Sequence, residues 1–219
     1  MDLHTIILKV MPSFKDIRTE VAMLRLSNQH MLPAQLSRVY IKKTRNKYAS
    51  VGAASAFPGV IPGLGTIAQA AIEAGAISAD IALMLRWMAA TAYATGLIYG
   101  KDTEADFEEE FTIVLGIWAG VILPEKAAHA KGEKLSIGHF DQHITDRIRN
   151  RMRQKIARKL ATKYGAKRGG AALGRLIPFG VGAIVGGLFN YNTIEKFGKA
   201  ADDYFQPGQK DYVLTDDNE

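Results

Sequence analysis

Cysteine is absent from the 219 residues. Its absence excludes disulfide cross-links, thiolate nucleophiles and cysteine-ligated zinc or iron–sulfur centres. Long apolar runs are also scarce. The longest uncharged window, Tyr48 to Ile72, covers 25 residues, but Pro58, Pro62 and four glycines interrupt it. A second, Leu176 to Ile194, covers 19 residues and ends in the polar Asn190-Tyr191-Asn192-Thr193. Trp87–Gly100 and Phe111–Pro124 reach only 14 residues each. A spanning helix needs about 20 predominantly apolar residues, so buried core helices or shallow interfacial hairpins are expected instead. Met1-Asp2-Leu3-His4 has no basic region ahead of an apolar run, and the expectation is a cytoplasmic chain. Strand signals are sparse, because no run of alternating Val, Ile, Thr or Tyr is bounded by Asn-Gly or Asp-Gly.

Catalytic signatures are missing as well. There is no Gly-x-x-x-x-Gly-Lys-Ser/Thr phosphate loop and no Gly-x-Ser-x-Gly elbow. Gly180-x-Gly182-x-x-x-Gly186-Gly187 misses the spacing of a dinucleotide loop, and no strand precedes it. No cofactor is expected, and a non-enzymatic role is favoured.

What is present reads as helix. Ser13 with Asp16 three positions on is a capping-box variant, opening a helix to about Leu26. Pro33 can start the next, running through Leu36, Val39 and Tyr40 to about Tyr48. A long stretch from Thr66 towards Tyr99 is stopped by Gly100. Thr103 is expected to cap a helix whose first turns carry Glu104, Asp106, Glu108, Glu109 and Glu110, complementing the dipole. Its continuation, Phe111 to Leu123, is apolar all round and ends at Pro124. Ile144, Ile148, Met152, Ile156, Leu160 and Tyr164 recur every four residues, an apolar stripe on a further helix. Ile61-Pro62-Gly63-Leu64-Gly65 and Ile177-Pro178-Phe179-Gly180-Val181-Gly182 echo one another, and each is expected to bend an apolar helical hairpin, with Gly186 spaced from Gly182 for close helix crossing. The fold class is therefore all-α: a single helical bundle domain with two Pro/Gly-rich apolar hairpins.

Charge is unevenly spread. Lys and Arg total 28 against 22 Asp and Glu, a net charge of +6. Between Arg147 and Arg175 stand eleven basic residues and no acid, so the rest of the chain is slightly negative. Arg147, Arg151, Lys155 and Arg158, with Lys159, are expected to project away from the apolar stripe. A second acid-free block, Arg38, Lys42, Lys43, Arg45 and Lys47, precedes the first Pro/Gly stretch. Cations flanking apolar segments favour an anionic membrane leaflet by about 1 kcal/mol each near the surface. Two other uses of this basic character are a solvated bundle face paired with Glu104–Glu110, and nucleic-acid binding. The last is weakened by sparse aromatic interleaving.

His139 and His143 stand at i, i+4, which on a helix would place both imidazoles on one face for a metal. The Glu of a His-Glu-x-x-His motif is missing, and Gly138 argues that the helix starts only near Asp141. Asp102–Glu110 lacks the spacing of a calcium loop and reads as helix-start charge.

Several of these segments resemble the EcsC family. They are Val51-Gly52-Ala53-Ala54 through Gly65, then Asp80, Met84, Arg86 and Ala89, then Ile98-Tyr99-Gly100-Lys101-Asp102. Near the C-terminus Ile177–Ala183, Asn190-Tyr191 and Phe197-Gly198-Lys199-Ala200-Ala201 also match. The likeness spans about Val51 to Phe205. The chain is similar, too, to the helical domain appended to some bacterial membrane-associated GTPases. The resemblance implies a helical, often membrane-associated protein and transfers no catalytic residue.

The expected organisation is an N-terminal helical extension over residues 1–50, an EcsC-like domain over 51–206 and an acidic, flexible tail over 207–219. The expected role is that of a membrane-associated accessory protein, peripheral to the inner face of the membrane, with anionic lipid or a membrane protein as partner. The alternatives are a metal-dependent hydrolase using His139, His143 and the acidic run, and a helical nucleic-acid-binding protein.

Overall fold

The computed structural model describes residues 7, 11–54, 79–124, 133–136, 146–160, 181–208 and 211–214. Helix α1 (Phe14–Ser27) starts where Ser13 can cap it, with the Ser13 hydroxyl accepting from the Asp16 N–H at 3.4 Å. Pro33 opens α2 (Pro33–Ala54), whose missing N–H costs nothing in a first turn. Helix α3 (Ala79–Ile98) ends at Gly100, whose φ of +86° favours glycine, and Lys101 N–H reaches back to the Gly96 carbonyl. Helix α4 (Phe107–Ala119) closes the same way at Gly120, with Val121 N–H bonded to the Gly116 carbonyl. Helix α5 spans Asp146–Leu160, and α6 spans Val181–Phe205.

Three short strands complete the described chain. These are β1 (Ile122–Pro124), β2 (Glu133–Ser136) and β3 (Asp211–Leu214), in the antiparallel order β1-β3-β2. Leu214 pairs with Ile122 on one side and Glu133 on the other, and Tyr212 with Pro124 and Leu135. The protein is all-α in class, with this small sheet as an addition. Two expectations are corrected here. The fourth helix stops at Ala119, so Leu123 and Pro124 lie in an edge strand, where a proline leaves no ladder donor missing on its outer side. Residues 211–214, expected to fray in an acidic tail, form the central strand, with Tyr212, Val213 and Leu214 all buried. Apolar side chains and two flanking strands outweigh the acidic neighbourhood.

The Thr103 cap is also corrected. The helix begins four residues later at Phe107, behind Asp106, and the Thr103 hydroxyl is buried with no hydrogen-bond partner among the described residues. Gly182 and Gly186 lie inside α6. Pro58, Pro62, Gly63, Gly65, Pro178 and Gly180 lie outside the described residues. The boundary expected between residues 50 and 51 falls within the continuous helix α2.

The core follows from these faces. In α2, Leu36, Tyr40, Ile41, Thr44 and Tyr48 are buried at helical spacing, and they face α6 and α3. Helix α3 is buried nearly all round, as its apolar composition requires. Its Thr91 and Thr95 hydroxyls satisfy themselves on the Trp87 and Thr91 carbonyls at 2.8 Å. An aromatic chain joins the helices: Phe14 meets Tyr93 edge-on at 4.6 Å and Phe107 at 5.1 Å, Phe107 stacks on Phe111 at 5.5 Å, and Phe111 meets Phe197 at 6.0 Å. Such pairs each contribute about 0.5–1.5 kcal/mol beyond burial. Met152 and Ile156 seat α5 on this core, as their spacing predicts, and α5 packs on α4.

Candidate functional site

The two basic blocks both lie on helices, and five of their cations, Lys43, Arg45, Lys47, Arg149 and Arg153, are met by acids from elsewhere in the chain. On α2, Lys43 and Lys47 converge on Glu20 of α1, at 2.7 and 3.2 Å. Burial pushes the Glu20 carboxyl up, but the two ammonium groups together hold it below its ordinary 4.5. Arg45 is paired with Glu195 of α6, and its guanidinium lies over the Tyr191 ring at 4.2 Å. Arg38 and Lys42 are exposed and stand at i, i+4 on the outer face of α2.

On α5 the picture divides. Arg149 bonds Glu109 at 3.2 Å and Arg153 pairs with Glu108, so the glutamates that open α4 hold the basic helix against it. Lys155, expected to project outward, is buried at 8% exposure. It falls three residues after Met152 and one before Ile156, on the flank of the apolar stripe, and its stem is drawn in with them. Arg151 is half-buried and Arg158 exposed, while Arg147 and Lys159 mark the two ends of the helix. His139 and His143 lie outside the described residues. Among the described residues no group of three His, Asp or Glu side chains is arranged to hold a metal ion. No helix of the described residues is long and apolar enough to cross a membrane.

A third polar cluster takes Asp102 and Glu104, expected as helix-start charge, out of the helix, which begins only at Phe107, and puts both on Arg18. The turn Tyr99-Gly100-Lys101-Asp102 between α3 and α4 is gripped from both sides. Arg18 of α1 donates to Asp102 Oδ2 at 2.8 Å and pairs with Glu104, while Tyr93 donates to Asp102 Oδ1 at 2.9 Å. Tyr99 donates to Asp202 of α6 at 2.7 Å. Arg25, seven residues after Arg18 and so on the same face of α1, donates to the Leu97 and Ile98 carbonyls that end α3. A cation there complements the helix dipole. The i, i+7 spacing of Arg18 and Arg25 was the available signal in the sequence. Their targets, more than 70 residues away, were not readable from it.

Arg18's hydrogen bond, aided by those from Tyr93 and the Glu104 N–H, holds the Asp102 carboxyl below its ordinary 3.8. Burial, with the Asp102 hydrogen bond, pushes the Tyr93 phenol well above its usual range. The folded-state values of Asp102 and Glu20 lie below the unfolded ones, so the unfolded chain binds more protons in acid. Their contribution is present above the unfolded values and is lost as pH falls through the depressed folded ones. Thermal stability should therefore drop on acidification below about pH 4.5, where the unfolded carboxyls begin to take up protons. Asp102→Asn should be less stable than the parent at neutral pH, and the gap should narrow in acid. Melting curves from neutral pH into acid check this, and a gap that stays constant would count against it.

The cluster is a structural clasp that fixes α1 across the α3–α4 turn, which Tyr99 ties to α6. Comparison with curated proteins and with solved structures finds no match to the chain. A family model does match it, from residue 24 and so well before the Val51 from which the likeness was read, through to residue 207. With residues 24–207 matched, the chain belongs to the EcsC protein family.

Proposed function

We propose that this EcsC-family chain is a non-enzymatic accessory protein that docks on the anionic, cytoplasmic face of a membrane. The observation that carries the reading is charge segregation. Between Glu20 and Glu73 run 52 residues with six Lys or Arg and no acid, followed later by the eleven-cation stretch from Arg147 to Arg175. Pairing with Glu20 and Glu195 absorbs Lys43, Lys47 and Arg45, which narrows the docking face on α2 to Arg38 and Lys42. On α5, Arg149 and Arg153 serve the bundle in the same way. Exposed cations on one helix face attract anionic headgroups within about 10 Å at 0.1 M salt.

The test is affinity for vesicles rich in anionic lipid. Arg38→Gln combined with Lys42→Gln should weaken binding roughly thirtyfold, taking about 1 kcal/mol per cation. Both side chains are exposed, so the melting temperature should hardly change. Undiminished affinity in the double variant would count against this face.

A further inference from the structure

The well-exposed large apolar side chains among the described residues are Met23, Leu26, Met31 and Leu32, at 62, 69, 39 and 67% exposure. All four fall within ten residues, at the end of α1 and in the turn into α2. Met23 and Leu26 share one face of α1 at i, i+3. The turn that carries the other two is held by its own hydrogen bonds. Asn28 Nδ2 donates to the Leu24 carbonyl at 2.8 Å, Met31 N–H to the Asn28 carbonyl at 3.0 Å, and Leu32 N–H to Gln35 Oε1 at 2.9 Å. The apolar tip is thus presented to solvent by a built turn.

Its surroundings are cationic. Arg25 is anchored on backbone carbonyls, which leave its charge uncancelled. Arg38 and Lys42 follow on the outer face of α2, and no acid occurs from residue 21 to residue 72. Exposed Met and Leu side chains backed by cations match a bilayer interface, with hydrocarbon below and phosphate at the rim. A second copy fits poorly. An isologous contact would set each copy's Arg25, Arg38 and Lys42 near those of the other.

We propose that the α1–α2 turn is the membrane anchor. Met23, Leu26, Met31 and Leu32 enter an anionic bilayer below the headgroups, while Arg25, Arg38 and Lys42 meet the lipid phosphates. The inference rests on the membrane-surface reading above and names the element that inserts.

The lack of native cysteine allows a single reporter to be placed in the full chain. Leu32→Cys and, separately, Gln154→Cys on the exposed face of α5 are labelled with an environment-sensitive fluorophore and mixed with anionic or neutral vesicles. The fluorophore at position 32 should shift to the blue with anionic vesicles and stay unchanged with neutral ones. Leu26→Ser combined with Leu32→Ser should lose roughly thirtyfold or more in vesicle affinity, with an unchanged melting temperature, since both sites are exposed. If the unlabelled chain binds anionic vesicles while position 32 stays in water and position 154 shifts, the anchor is overturned and the surface reading stands. If the chain binds no vesicle, both fall. A label at position 32 already blue-shifted without lipid would mean that protein covers the turn, and would overturn the anchor.

Discussion

Tyr212→Ala and Leu214→Ala should each lower the melting temperature by roughly 6–12 °C, because each empties about 3 kcal/mol of packing in a domain of this size. Tyr212 is 2% exposed and Leu214 1%, and both belong to the strand that β1 and β2 flank. Both side chains belong to the hydrophobic core, and removing either leaves a cavity that the surroundings fill only in part. The strand sits in an acidic, polar stretch of sequence that reads as a frayed terminus. A thermal melt within about 1 °C of the parent for both variants would show that residues 211–214 contribute little, and would return the segment to the tail.

The second large effect is expected at Gly198. A Cβ there would come within 2.5 Å of Ile41 Cγ2 and 2.9 Å of Cγ1, in the crossing of α2 and α6. Ile41 is buried and cannot swing into solvent. Gly198→Ala gains up to about 1 kcal/mol of helix propensity against an overpacking cost of about 1–3 kcal/mol, so its net effect is modest. Gly198→Leu gains no more propensity and must push the helices apart, and it should cost about 3 kcal/mol or more. Ile41→Ala in the Gly198→Leu background should recover part of that loss, although Ile41→Ala alone destabilises. Chemical denaturation of the four chains measures the coupling. Additive losses would mean that the two residues do not meet.

These two sites show why some of the molecule was legible in the sequence and some was not. Ser13, Pro33 and Gly100 act on their own neighbours, and their helix starts and stops were readable from residue type alone. The Met152–Ile156 stripe was readable because a helix repeats its face every three to four residues. Strand β3 was not, because Tyr-Val-Leu is too short to alternate visibly and its ladder partners lie far away in the chain. Pro124 looked like a helix stop for a related reason. A proline after an apolar run suits both a helix end and an edge strand, and only the pairing with Tyr212 decides.

The basic faces divide in the same way. Their cations stood out as runs, and pairing with Glu104–Glu110 was one reading of them, met by Glu109 at Arg149 and Glu108 at Arg153. Glu195, 150 residues from Arg45, had no signal in the sequence. Lys155 was placed outward by counting charges, although its offset from Met152 already set it beside the buried stripe. Arg38 and Lys42 of α2 keep exposed positions. The apolar turn at Met31 and Leu32 went unremarked because scattered surface apolar residues are common. Four of them gathered at one cationic turn are not.

The central claim is that an anionic membrane surface is what this chain binds. Flotation of the full-length chain with vesicles tests it most directly, comparing anionic with neutral lipid in low and high salt. The account predicts that the chain rises with anionic vesicles at about 0.1 M salt, is largely released as added salt shortens the screening length, and stays at the bottom with neutral vesicles. Equal flotation with both lipids, or with neither, would contradict it.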